Sequence, residues 1–116
     1  MAIEGVDIVK AAAFLGAGIS MGLGAIGPGV GEGMVAAKAC EAIGKNPREA
    51  GLLTRTMLVG QAVAESASIF ALVIAILLLF LDVQAATLLK AAALLGAGLS
   101  MGLGAIGSGV GSGNPA

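Results

Sequence analysis

Two acidic side chains inside apolar segments carry the strongest chemical signal in this sequence. Glu65 is the only charged residue between Met57 and Leu81, a run of 25 residues. About 20 apolar residues suffice for a helix to cross the hydrocarbon core of a bilayer. A charge at that depth costs roughly 3 kcal/mol on insertion scales, so an acid placed there predicts a proton or ion site. Ser66 follows directly and offers a hydroxyl oxygen, a ligand that hard cations favour.

Glu32 provides a second carboxyl group, in the preceding apolar segment. Glu32 and Glu65 lie about equally far in sequence from Arg48. In a helical hairpin they therefore reach the same depth, about 24 Å from the turn. Two carboxylates in a medium of low dielectric share one charge more cheaply than two, so we expect the pair to titrate as a unit. The alternative for Glu32 is a structural acid that a neighbouring helix satisfies. Gln61, one helical turn before Glu65, is either a partner of that acid or a helix–helix hydrogen-bonding residue.

The composition is that of a membrane protein. The 116 residues are 58% hydrophobic and 11% charged, with a net charge of −1, which leaves no electrostatic footprint for nucleic acid. The sequence has no His, and its single cysteine, Cys40, excludes an intrachain disulfide and a cysteine-based metal cage. A chain this short and apolar is expected to complete its packing by assembling with copies of itself.

Three apolar segments predict three membrane-spanning helices. They cover residues 8–42, 52–81 and about 85–113. The polar link Gly44–Glu49 joins the first two, and its Asn46-Pro47 pair is typical of a turn. Basic residues cluster around the link, which predicts that it is cytoplasmic and that a third span returns the C-terminus to the same side. We therefore divide the chain into a transmembrane hairpin, residues 1–83, and a third span, residues 84–116.

The third segment repeats the first. Residues 89–113 match residues 9–33 at 20 of 25 positions, with a fixed offset of 80. Two of the five differences change the chemistry, because Ser108 replaces Pro28 and Ser112 replaces Glu32. Since the second copy lacks the acid, we expect it to cross the membrane without carrying an ion.

Glycines at alternate positions predict the packing surfaces of the first segment: Gly27, Gly29, Gly31 and Gly33. Glycine weakens an isolated helix by about 1 kcal/mol relative to Ala, so the series predicts close approach between helices in lipid. Residues i and i+2 lie about 200° apart on a helix, which places small surfaces on two opposite flanks. Head-to-tail contacts through both flanks close into a ring. The predicted fold is an all-α membrane protein, a helical hairpin plus a third transmembrane helix, that assembles into a homo-oligomeric ring.

The same stretch also matches a sequence pattern found in nucleotide-binding proteins. Gly22, Gly24 and Gly27 match the pattern G-x-G-x-x-G. The dinucleotide interpretation requires a preceding strand and a βαβ unit, and the sequence predicts neither. Helix packing in the membrane therefore explains these glycines better.

The sequence resembles the c subunit of F-type ATP synthase, the rotor-ring proteolipid, over about residues 5–82. The resemblance rests on the glycine series Gly27–Gly33, the turn Lys45–Pro47 and the segment Gly60–Ser66. It implies a hairpin whose Gly-rich helix packs in an inner ring and whose acidic helix packs in an outer ring. The acid then carries H⁺ or Na⁺ between two half-channels of stator subunit a, and rotation of the ring drives the central stalk.

The resemblance also implies roles for individual residues. The family's ion ligands correspond here to Glu32, the carbonyl group of Val63, Glu65 and Ser66. Sodium-type members are the more similar, so Na⁺ is the favoured ion and H⁺ the other candidate. Ala67 and Phe70 depart from that pattern, because many sodium-type members carry Thr and Tyr there.

Partners and location follow from the same resemblance. The turn residues Lys45, Asn46 and Pro47 are expected to contact the central stalk, which consists of subunits gamma and epsilon. The other expected partners are further copies of the chain in a ring, stator subunit a and membrane lipid, with no nucleic acid. We expect a non-catalytic subunit in the bacterial cytoplasmic (inner) membrane that binds Na⁺ or H⁺ and no other cofactor.

Other interpretations remain open at this point. A non-rotary ring-forming structural or channel-like membrane protein would share the packing, but a pore needs a hydrophilic lumen and the Gly/Ala/Ile face offers none. A stand-alone enzyme would need a nucleophile and a base, which the sequence does not combine. The third segment is an extra rotor helix, the front half of a tandem duplicate, or the result of truncation or engineering. Its substitutions favour a diverged duplicate.

Overall fold

The computed structural model describes residues 4–82 and 86–114, and all regular structure within these ranges is helical. The helices are α1 (Gly5–Gly24), α2 (Ile26–Lys45), α3 (Ala50–Leu79) and α4 (Leu88–Gly113), with one 3₁₀ turn at Pro47–Glu49. Three helical segments are long and apolar enough to cross a membrane: Gly5–Lys45, Pro47–Leu79 and Leu88–Gly113. The predicted all-α architecture with three spans is confirmed.

The first span consists of two helices, α1 and α2, that are separated only by Ala25. Pro28 explains the break, because proline has no N–H to donate to the carbonyl of Gly24 and its ring crowds that carbonyl. The regular pattern resumes at Gly29, whose N–H donates to the Ala25 carbonyl at 3.0 Å. This break is local, because Ala25 keeps right-handed helical dihedral angles and Gly5–Lys45 remains one span, whereas α4, with Ser108 at the equivalent position, has no such break.

The hairpin turn is shorter than the predicted polar link. α2 continues to Lys45, and only Asn46 lies between it and the 3₁₀ turn. Glu41 stabilises this last part of α2, because it accepts from Lys45 at 2.8 Å and from Lys38 at 3.4 Å. Such exposed pairs one turn apart stabilise a helix only weakly, because water screens them.

The other ends of the spans also differ slightly from the prediction. α3 ends at Leu79, two residues before the predicted end at 81, and α4 begins at Leu88 rather than near 85. The expected boundary between residues 83 and 84 and the last two residues, 115–116, lie outside the described residues.

α4 packs parallel to the first span, and α3 packs antiparallel to both, in a bundle 67 × 20 × 20 Å in extent. The glycine contacts Gly16–Gly98 and Gly31–Gly113 show that residue numbers rise together along the two helices. A Cβ on Gly27 would collide with the carbonyl oxygens of Ala105 and Ile106. This approach is therefore open only to glycine, and it gives a core made of small side chains.

Candidate ion-binding site

The antiparallel packing of α2 and α3 brings Glu32 and Glu65 to one depth. Their carboxyl groups face each other across the two helices closely enough to interact. A hydrogen bond between two carboxyl groups requires a proton on one of them, since an ionised carboxylate only accepts. In a medium of low dielectric, two such groups share one charge more cheaply than they carry two. Glu32 is half-buried, and Glu65 lies on the exposed side of α3.

Ser68 is a third member of this cluster that sequence reasoning missed. Its Oγ lies 2.6 Å from Oε1 of Glu65 and 2.8 Å from the Glu65 carbonyl oxygen, and the residue is 4% exposed. The hydroxyl has one proton, so it donates to the carboxylate when Glu65 is ionised. When Glu65 is protonated, the acid can donate to Ser68 Oγ while Ser68 donates to the carbonyl. The signal in the sequence was the i, i+3 spacing, which places Ser68 beside Glu65 on one helix face.

Ser66 and Val63 form a second pair beside the acids. The Ser66 hydroxyl donates to the Val63 carbonyl oxygen at 2.7 Å, and both residues lie on the exposed side of α3. The two oxygens thus stand within one helical turn of each other, next to Glu65 in sequence. A cation held by both would replace the hydrogen bond that now joins them, which requires only a rotation of the hydroxyl.

The remaining residues singled out around the acid lie in different environments. Gln61 Nε2 donates to the backbone carbonyl of Glu32 at 3.5 Å, which joins α3 to α2 rather than reaching the carboxyl group of Glu65. Ala67 is buried in a cluster with Ala71 and Ala105, where α3 meets α4. Phe70 is 64% exposed on the outer surface of α3. The two positions that depart from the sodium-type pattern therefore differ from each other in environment.

The glycine series divides between two flanks of α2. Gly27 and Gly31 contact α4, where an added Cβ would collide with its backbone. At Gly29 and Gly33, no described atom lies within 4 Å of the position that a Cβ would take. At the hairpin turn, the residues expected to contact the stalk are all exposed: Lys45, Asn46 and Pro47.

An apolar helical hairpin with two facing acids on its two spans is typical of a small membrane protein that holds an ion or proton in lipid. The chain belongs to the ATP synthase C-subunit family, whose model matches residues 15–78, more than half of the sequence. Members of this family are non-catalytic membrane rotor subunits that form a c-ring within the ATP synthase complex. The match ends before α4.

Similar proteins support this assignment at high identity. The chain is 49% identical over 78 residues to the ATP synthase c subunit of Alkaliphilus oremlandii, covering 67% of this chain and 88% of the relative. It is 50% identical over 78 residues to that of Natranaerobius thermophilus, covering 67% and 90%. It is 53% identical over 66 residues to that of Petrotoga mobilis, covering 57% and 69%. The predicted family and the prediction of a non-catalytic membrane protein are confirmed.

Proposed function

We propose that each copy of the chain carries one monovalent cation on Glu65, Na⁺ in preference to H⁺, and that its release and rebinding drive rotation of the ring. The observation that carries this proposal is that the packing of α2 and α3 brings Glu32 close to Glu65, whose carboxylate also accepts from Ser68. Two carboxyl groups that share one proton have a single negative charge, which one monovalent cation neutralises. Moving one elementary charge through 100 mV supplies about 2.3 kcal/mol to drive rotation.

The oxygen atoms around Glu65 support Na⁺ as the ion. A carboxylate, a backbone carbonyl and a hydroxyl are ligands that hard cations favour, and Glu65, Val63 and Ser66 supply one of each. Glu32 retains the proton and supports the site from α2. Ser68 holds the Glu65 carboxylate in place through its 2.6 Å hydrogen bond, so the acid stays oriented while the ion is exchanged.

Carbodiimide labelling tests the identity of the ion, because dicyclohexylcarbodiimide modifies protonated acids in apolar surroundings. At fixed pH, millimolar Na⁺ is expected to slow the labelling of Glu65 several-fold by displacing the proton, whereas K⁺ at equal ionic strength leaves the rate unchanged. Labelling that depends on pH but not on Na⁺ would show that the chain carries protons.

Two serine variants separate ligand chemistry from packing in the same assay. Ser66→Ala removes a proposed ligand, so it should weaken protection by Na⁺ more than it weakens binding of the proton. Ser112→Ala removes a hydroxyl that donates to its own helix at Ser108, at 2.7 Å, and should leave protection unchanged. Equal loss of protection in both variants would exclude Ser66 as a ligand.

We also propose stator subunit a and central-stalk subunits gamma and epsilon as partners, with the bacterial inner membrane as the location. The exposed turn Lys45–Pro47 supports a stalk contact. In a cysteine-free background with Cys40→Ala, Asn46→Cys should cross-link to the stalk in the assembled complex. Ala11→Cys, near the opposite end of the bundle, serves as the control and should not. Cross-linking of both variants, or of neither, would contradict this contact.

A further inference from the structure

The two copies of the repeat bury opposite faces. In the second copy, α4 buries six residues against the rest of the chain: Ala91, Gly98, Gly102, Ala105, Gly109 and Gly113. Their equivalents in the first copy are all exposed: Ala11, Gly18, Gly22, Ala25, Gly29 and Gly33. Conversely, none of the residues that the first copy buries has a buried equivalent in α4. Two helices of nearly the same sequence therefore contact each other through different sides.

The register of the two copies explains this exchange of faces. Gly31 lies between Gly109 and Gly113 of α4, and Gly16 lies between Leu94 and Gly98. These neighbours differ by 78 and 82 in residue number, whereas equivalent positions differ by 80, so the two copies lie at the same level. Each residue of the first copy therefore faces the equivalents of its own i−2 and i+2 positions, which lie about 200° around the helix from residue i.

We name the two faces after the first copy. Flank A is the face of Ala12, Gly16, Gly27 and Gly31, with its equivalents on α4, namely Ala92, Gly96, Gly107 and Gly111. Flank B is the face of Ala11, Gly18, Gly29 and Gly33, with its equivalents on α4, namely Ala91, Gly98, Gly109 and Gly113. The contact seen within the chain joins flank A of the first copy to flank B of α4.

The other two flanks are open and match each other. At Gly18, Gly29 and Gly33, and likewise at Gly96, Gly107 and Gly111, no described atom lies within 4 Å of a Cβ position. These are flank B of the first copy and flank A of α4. They consist of the same residues that already pack together once inside the chain. The contact inside the chain uses one flank of each helix and leaves the complementary flank of each helix free. Such a contact is heterologous, so the free flanks of neighbouring copies can form it again from one copy to the next.

We propose that flank A of α4 in one copy of the chain packs on flank B of the first span in the next copy. The residues predicted to meet are Gly96 with Gly18, Gly107 with Gly29, and Gly111 with Gly33. Each chain then contributes two inner helices, the first span and α4. The contact between copies continues the contact that these two helices already make within one chain. The described part of the chain supplies one acid pair for every two inner helices, because Ser112 replaces Glu32 in α4. This proposal goes beyond the ion chemistry above and does not depend on which ion is bound.

Disulfide cross-linking of the full chain in lipid vesicles tests this interface. Within the chain, Ala12 and Ala91 are buried in one cluster, so their equivalents Ala92 and Ala11 should meet between copies. In a Cys40→Ala background, the double variant Ala11→Cys/Ala92→Cys should give a ladder of multimers on a non-reducing gel. The matched control Ala12→Cys/Ala91→Cys should give a bond within one chain and no ladder. All four substitutions replace the same residue type.

Single variants and a packing variant complete the test. Dimers from Ala11→Cys alone, or from Ala92→Cys alone, would show a symmetric contact and overturn the proposal, as would a double variant without a ladder.

Gly107→Leu should reduce the yield of the ladder at least tenfold, and Gly29→Leu on the opposite partner should do the same. Both sites are open within one chain, so helicity by circular dichroism should be unchanged; a loss of helicity would contradict an open flank. Because none of these measurements involves the ion, failure of the ion assignment would leave the outcome unaffected.

Discussion

The two copies of the repeated segment show how few residues separate a span that holds an acid from one that holds none. They share 20 of 25 residues, yet the first is broken at Ala25 and holds an acid, whereas the second is continuous and holds none. The Pro28/Ser108 difference accounts for the break, and the Glu32/Ser112 difference accounts for the acid. Fold and chemistry thus differ through separate substitutions, so each can be tested alone.

Residues that are identical in the two copies also differ in burial and in hydrogen-bond partners, because different helices lie beside them. Ser20 is fully buried, and its hydroxyl donates to the carbonyl of Ala71 on α3 at 3.0 Å. Its equivalent Ser100 is exposed and donates to Ala97 of its own helix at 3.2 Å. The same hydroxyl therefore joins two helices in one copy and only caps its own backbone in the other.

The largest expected effect comes from replacing Glu65, the acid on the second span of the hairpin. Glu65→Gln keeps the shape of the side chain but removes its titrating charge, so ion-coupled ATP synthesis should fall to background. Circular dichroism and ring size should be unchanged, because an amide can still accept from Ser68. Any carbodiimide label that remains in this variant should lie on Glu32 and should not respond to Na⁺. Labelling that Na⁺ still slows would place the ion site elsewhere.

A proline exchange should transfer the break from one copy to the other. Ser108→Pro removes an N–H from the interior of α4 and should cost about 3 kcal/mol of stability, measured by unfolding in mixed detergent micelles. Pro28→Ser restores the N–H in the first span, so it should leave helicity equal or slightly higher. If Ser108→Pro were neutral, Pro28 could not be the cause of the break at Ala25.

Sequence reasoning reached the overall architecture because hydropathy, the turn and the acid depth are local or simply periodic signals. It placed three spans and predicted that Glu32 and Glu65 reach one level, where the structure brings them close together. It missed Ser68, since an i, i+3 serine is common on helices and only burial beside the acid distinguishes it. It did not place the break at Ala25, although Pro28 was its signal.

The pairing of the two copies was harder to predict from the sequence. Both flanks carry the same glycines in both copies, so the periodicity alone is symmetric and selects neither contact. The packing of the three spans against one another settles which flank of each copy is used. A position such as Gly31 is therefore distinguished from Gly111 only by the folded structure.

Equivalent glycines should respond unequally to a large side chain. Gly31→Leu would force its side chain into the backbone of α4 at Gly109, and overpacking of this kind costs roughly 1–3 kcal/mol. Gly111→Leu faces open space within the chain, so in detergent that keeps the chain monomeric its stability should be unchanged or slightly higher. Unfolding curves of the two variants measure the difference. Equal destabilisation would mean that the copies do not use opposite flanks.

The smallest effect concerns the two equivalent serines. Ser20→Ala removes the only hydroxyl that donates from the first copy to α3 among the described hydrogen bonds, and it leaves a carbonyl that still accepts within its own helix. The loss should be about 0.6–1 kcal/mol, since hydrogen bonds between helices in membranes contribute about that much. Ser100→Ala removes a bond within one helix on an exposed face and should cost less than about 0.5 kcal/mol. The unfolding midpoint of each variant in the same detergent gives the comparison. A larger loss at Ser100 than at Ser20 would show that the exposed face of α4 is the one that carries the packing.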